Sequence, residues 1–184
     1  MNTVWSLPTS TVIDGTRYRF NADFRDILQI VEYLNDEKRP VFIRWRIALE
    51  LFYEDQVLPE HQTKAIEYLA KFISYGEEKS KQAHKLIDWE QDAQLIIGDI
   101  NKVAGTEIRG MSFLHWWTFL TYFYGIGEGM LSSVVSIRNK KAKRKKLEKW
   151  EEEYYKENKE MIDFRTNAYE EKEAEKAALL KWLD

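Results

Sequence analysis

The segment Ser112 to Tyr124, SFLHWWTFLTYFY, constrains this chain more than any other stretch. Its apolar residues Phe113, Leu114, Trp116, Trp117, Phe119, Leu120, Phe123 and Tyr124 cover more than one face of a helix. A helix lying on the surface of a globular domain shows a single stripe. This segment is therefore either the buried centre of a domain or the seat of a partner chain. Both readings make it an organising element and not a catalytic one.

What can surround it is bounded by the rest of the chain. A length of 184 residues allows one good core, or a compact core with an extended arm. Aromatics at 14% and seven tryptophans exclude a wholly disordered chain, while a charged fraction of 32% has to collect somewhere, and it collects at the C-terminus. A formal charge of -3 argues against a general nucleic-acid binder, whose affinity comes largely from neutralising phosphates. With no cysteine, disulfides and thiolate metal sites are excluded and packing must hold the fold. The opening residues MNTVWSLPTST lack the charged start and apolar centre of a signal peptide, and no run is long enough to span a bilayer. No membrane partner is expected.

The pattern predicts a mainly α protein, a small helical bundle with a short N-terminal β-hairpin and a long charged C-terminal helix. Val12 and Ile13 stand before Asp14-Gly15 and Thr16, Tyr18 and Phe20 after it, β-prone residues flanking a type I′ turn dipeptide. Phe24, Ile27, Leu28, Val31 and Leu34 follow at helical spacing, with Asn21 or Asp23 as cap. Pro40 breaks the chain, and Val41, Trp45, Ala48, Leu49 and Phe52 restart a face that ends before Pro59. A third helix is expected over about 60–75, burying Ile66, Leu69, Ala70 and Ile73, with Gly76 as its stop. The polar stretch 76–85 reads as a linker. Trp89, Ala93, Ile96, Ile100 and Val103 then make a fourth helix closed by Gly105, and Ser112 caps the aromatic fifth, closed by Gly125. A short sixth element over 130–138 leads into a basic-to-acidic stretch read as one long helix from about Lys145. Its heptad places Leu147, Tyr154 and Met161 on one seam and Trp150, Glu157 and Phe164 on the other, and glutamates on the seam weaken it as a coiled coil. The expected organisation is an N-terminal segment 1–20, an N-terminal helical subdomain 21–76, a central subdomain 77–138 and a charged arm 139–184.

No catalytic pattern stands out. His61, His84 and His115 are scattered, and although His84, Asp88 and Asp92 share a helical face, such triplets on charged helices are mostly solvated. Gly125-Ile126-Gly127-Glu128-Gly129 lacks the preceding strand and the Lys-Ser/Thr of a phosphate loop and reads better as a hinge. An enzyme is disfavoured, and no cofactor or metal is expected. The basic run Arg138, Lys140, Lys141, Lys143, Arg144, Lys145 and Lys146 has no interleaved aromatic platform, so nucleic acid is disfavoured there and an acidic protein partner fits better. Large aromatics at helical spacing are usually core. Yet Trp5, Trp45, Trp89, Trp150 and Trp182 add ring surface that few helices must cover. Part of this surface is expected to form a partner groove. The candidate partner-binding residues are Phe113, Trp116, Trp117, Phe119, Leu120, Phe123, Trp89, Trp150 and Tyr154.

These residues also carry a resemblance. Asp88-Trp89-Glu90-Gln91-Asp92, then Leu114-His115-Trp116-Trp117-Thr118-Phe119, then Ser136-Ile137-Arg138 with its lysine-rich stretch and Glu153-Tyr154-Tyr155 resemble, in order and spacing, the gene-product-fifteen family. That family occurs among the tail genes of long-tailed phages of Gram-positive bacteria. Asn21-Ala22-Asp23-Phe24-Arg25 is similar to the family's start, which extends the likeness from Tyr18 to about Glu160; the closing residues 161–184 match nothing comparable. The resemblance implies a non-enzymatic tail assembly chaperone acting in the host cell cytoplasm. Its implied partners are the tape-measure protein, the tail tube protein and a companion chaperone, and a homo-oligomer is compatible with that role. The alternatives are a structural tail component that stays in the virion and a nucleic-acid-associated factor using residues 138–149.

Overall fold

Asp14 and Gly15 adopt φ of 48° and 84°, the pair of positive values that a type I′ turn needs. They join β1 (Ser10–Ile13) to β2 (Thr16–Arg19) in an antiparallel ladder that sets Ser10 opposite Arg19 and Ile13 opposite Thr16. Ile13, Tyr18 and Phe20 point inward, whereas Val12 is exposed. A two-stranded ribbon is marginal alone, and burial of these side chains under helices holds it. The chain is known here from a computed structural model that describes residues 6–75 and 84–165.

The fold is mainly helical, with the hairpin at its N-terminus. Asp23 ends the extended entry and accepts the Arg25 amide, starting α1 (Phe24–Asn35). After Pro40, α2 (Val41–Phe52) packs on α1, and a 3-10 turn at Pro59–His61 leads into α3 (Gln62–Ile73). Further on come α4 (Ala93–Ala104), α5 (Trp116–Tyr124), α6 (Met130–Ala142), α7 (Lys149–Glu157) and α8 (Lys159–Ile162). Gly105 follows α4 at φ 69°, the left-handed stop that glycine adopts without strain. No helix among the described residues is long and apolar enough to cross a membrane.

The described residues form two compact units whose boundary falls inside α4. The first holds the residues up to 75 and Ile100–Ile126; the second holds His84–Asp99 and the described residues from Gly127 on. Rings fill the first. Phe20 stacks on Phe52 at 4.5 Å between centroids, Phe72 sits 5.1 Å from Phe20, and Phe24 stacks on Phe119 at 4.8 Å. The second has a small apolar centre of Val134, Ile137 and Ile162, with Leu95, Leu147, Tyr154, Tyr155 and Met161 packed round it.

Several expectations are corrected. α3 buries Ala65, Leu69 and Phe72, while Ala70 faces out and Ile66 and Ile73 are only partly covered. Seating the Phe72 ring against Phe20 and Phe52 removes far more apolar area from water than seating Ala70 would, and it turns the helix accordingly. Val41 and Val103 are exposed at helix ends, and Trp89 lies in the turn ahead of α4. His115, not Ser112, caps the aromatic helix. The amide of Phe24 donates to the Leu114 carbonyl at 2.9 Å and that of Trp116 to the Ala22 carbonyl at 2.7 Å. This strand-like bridge holds residues 114 and 115 extended, so the helix cannot start before Trp116.

The stretch read as one helix from Lys145 is also interrupted. Helix resumes only at Lys149 and breaks at Asn158, whose side chain donates to the Tyr154 carbonyl at 3.0 Å. The break lets Ile162 turn back onto Val134 and Ile137, which a straight helix could not do. Trp5, the linker residues 76–83, and the arm from 166 on with Trp182 lie outside the described residues.

Candidate functional site

The tryptophan pair of α5 is tied to the end of α3 by its polar atoms. Trp116 donates from Nε1 to the Ile73 carbonyl at 3.1 Å, and Trp117 from Nε1 to the Phe72 carbonyl at 3.0 Å. Both acceptors belong to the last turn of α3, where carbonyls lack intrahelical donors. The two indoles thus cap one helix while starting another. Beyond this shared role their positions differ. Trp116 is sealed at 2% exposure and its neighbours Phe119 and Leu120 are also buried, so these three candidates offer no surface to a partner. Trp117 is only partly buried, stacked on Phe72 at 5.4 Å and edge-on to the exposed Tyr75 at 5.3 Å.

His115 holds this corner together. Its ring is buried; Nδ1 accepts the Trp117 amide at 3.1 Å, and Nε2 lies 2.9 Å from the Pro8 carbonyl. An amide can only donate and a carbonyl can only accept, so the ring is the neutral tautomer protonated on Nε2. Burial pushes its pKa down, partly offset by the Pro8 carbonyl. On its outer side the exposed Phe113 ring lies 6.4 Å away. Tyr75, Trp117 and Phe113 therefore form an aromatic strip, linked through the His115 ring, on the first unit. Tyr75 was not among the sequence candidates, because its place beside Trp117 depends on how α3 and α5 pack. Phe123, Trp89 and Tyr154 are partly buried, and Trp150 is exposed in the second unit.

The second unit is built round a buried arginine. Arg138 pairs with Asp92 through two bonds of 2.6 and 2.9 Å, and its remaining N–H groups donate to the carbonyls of Ile162, Leu86 and Met161. All five guanidinium donors are used, and the Phe164 ring lies over the group at 4.1 Å. Asp92, the carboxylate that shares a spacing with His84 and Asp88, is thus engaged by Arg138. Lys140 pairs with the buried Glu151 at 2.7 Å, and Lys141 pairs with Asp163. Three members of the basic run are consumed inside the unit, leaving Lys143, Arg144, Lys145 and Lys146 exposed. In the glycine-rich connection, the Asp99 carboxylate accepts the Leu131 amide at 3.2 Å at the start of α6. A Cβ at Gly129 would meet Asp99 Oδ2 at 2.8 Å, which explains the glycine, and the place where a phosphate could sit is filled by the protein's own carboxylate.

The residues that carried the resemblance are therefore mostly joints of the fold. Asp23 takes the Arg25 amide and guanidinium and, at 2.9 Å, the Leu114 amide. His115 caps α5, Gln91 donates to the Asp163 carbonyl at 2.8 Å, and Asp92 meets Arg138. Fold and surface together define a mainly helical protein of two units, each of which keeps large apolar side chains exposed. The chain matches the family model described as Bacteriophage Gp15 protein over residues 5–164, and it belongs to that family. No curated protein and no solved structure matches it.

Proposed function

We propose that this protein is a phage tail assembly chaperone that covers the tape-measure protein until tube subunits replace it. Membership of the family supports a role among phage tail proteins. The observation that carries the finer reading is the aromatic strip of Tyr75, Trp117 and Phe113, whose outer rings are 43% and 54% exposed although the fold buries other rings completely. A tape measure is a long helical molecule with apolar stripes, and a strip of rings on a charged, helical protein is its physical complement. Phe123 in the first unit and Trp89, Trp150 and Tyr154 in the second are further candidates for contact; Trp116, Phe119 and Leu120 serve the strip only by holding it in place.

The test is co-expression with the tape-measure protein of the same phage. Soluble tape measure should increase when this chain is present. Tyr75→Ser with Phe113→Ser should abolish the gain while leaving the helical circular dichroism and melting temperature of this chain unchanged, since both side chains are exposed. An unchanged gain with the double variant would remove the strip from the reading. Recovery of the protein at high copy in purified virions would replace the chaperone with a structural tail component.

A further inference from the structure

Two surfaces of opposite character remain. In the first unit a groove of about 660 Å³ opens between α2, the connection after it and α3. Trp45, Leu49 and Ile66 line it, and Phe42 stands at its edge 70% exposed, an unusual position for a large apolar ring. Its charged lining is three carboxylates, Glu50, Glu54 and Asp55, against one guanidinium, Arg46. Arg19 pairs with Glu54 at 2.8 Å and Arg46 lies 3.6 Å from Glu50, while no ion pair to Asp55 is found among the described residues. The groove is apolar at its base, and its rim is acidic by one carboxylate, Asp55, once Arg19 and Arg46 are counted.

In the second unit the turn between α6 and α7 presents Lys143, Arg144, Lys145 and Lys146, all exposed, followed by Lys149 and by Trp150, which is 54% exposed. This turn has a defined shape. The Lys145 amide donates to the Lys140 carbonyl at 2.8 Å and the Arg144 amide to the Lys141 carbonyl at 3.0 Å, the paired bonds of a Schellman stop. Arg144 occupies its left-handed position at φ 52°, where glycine is the usual residue. A cation is thus held at a strained position at the end of a helix that already has Lys140 and Lys141 in its last turn.

We propose that the occupant of the groove is a second copy of this chain, whose loop 143–149 meets the acidic rim and whose Trp150 indole lies against Phe42 and Trp45. Both halves of the contact are on one molecule and are complementary in charge and in apolar character. They are different patches, so two copies either exchange loop and groove reciprocally in a closed dimer or link head-to-tail into a chain or ring. The inference does not rest on the tape-measure reading, and the protein alone tests it.

Sedimentation velocity of the full chain over a concentration series should show species larger than the monomer at 50 mM NaCl that dissociate at 500 mM. Glu50→Lys with Asp55→Lys, or Lys145→Glu with Lys146→Glu, should each weaken association by about tenfold or more, as expected for loss of complementary charge across an interface. An equimolar mixture of the two double variants should associate again, because the basic loop of the first meets the acidic groove of the second. Trp150→Ala should weaken association without changing the melting temperature. A wild-type chain that stays monomeric at several hundred micromolar in low salt would overturn the proposal. So would association unmoved by either double variant, a mixture that remains monomeric, or a loop variant that changes only retention on duplex DNA.

Discussion

The first unit is held by ring on ring, with Phe20, Phe52, Phe72, Trp116 and Phe119 all buried. In the second, the apolar centre shrinks to Val134, Ile137 and Ile162, and the ion pairs Arg138–Asp92 and Lys140–Glu151 occupy the rest of the interior. The two respond differently to damage. Apolar packing loses stability roughly with the volume removed, whereas a buried ion pair fails when one partner goes, since the other charge is left without water. It fails much less when both are replaced together by apolar groups of similar size.

That difference can be broken experimentally, and the largest effect is expected at the arginine. Arg138→Met should destabilise the protein by about 3–5 kcal/mol, and Arg138→Met with Asp92→Leu should recover most of it. Urea denaturation, with hydrogen exchange read on α6, measures both. A double variant no more stable than the single one would show that the carbonyl bonds of Arg138, and not its charge, hold the unit. In the ring-built unit, Trp116→Ala should also cost about 3–5 kcal/mol by leaving a cavity and an uncapped α3 carbonyl, and no second substitution nearby should restore it. Asp23→Ala removes the α1 cap and the acceptor of the Leu114 amide, and a loss of about 1–2 kcal/mol is expected in thermal melts.

Acid should separate the units without any mutation. The His115 pKa is held below the ordinary histidine value, so the unfolded chain takes up its proton first. Its contribution is complete above about pH 6.5 and is lost as the pH falls through its lower folded value. In the second unit burial works to raise Glu151 and Asp163. Lys140, the Glu148 amide and Ser136 together outweigh it at Glu151, and Lys141, Tyr155 and Lys159 together outweigh it at Asp163, so both stay below the usual carboxylate range. The stability they supply is complete above about pH 4.5 and is lost only below it. Hydrogen exchange during an acid titration should therefore show α5 loosening before α7. His115→Asn, which keeps a capping acceptor, should remove the earlier step and leave the later one.

Much of the fold was legible in the chain. The Asp14-Gly15 hairpin, the Asp23 cap, the break at Pro40 and the stop at Gly105 all appear where the residues suggested, because each follows from the backbone preference of one or two amino acids. The aromatic segment was recognisable as an organising helix, but not which of its rings would close inside. Trp116 and Trp117 are neighbours of the same type, and one is sealed while the other is partly open. The groove at Phe42 and Trp45 had no signal at all, since its walls come from α2, the connection after it and α3 together.

Local chemistry, then, determined where this protein turns, caps and breaks, and its apolar periodicity determined that helices would dominate. Only the tertiary structure decided that Asp92 meets Arg138 across 46 residues, that His115 and not Ser112 starts the aromatic helix, and which rings face water. A capping or turn preference is settled within a few bonds of the residue that carries it. The fate of a side chain on a helix face depends on what packs opposite, and no residue carries that information alone.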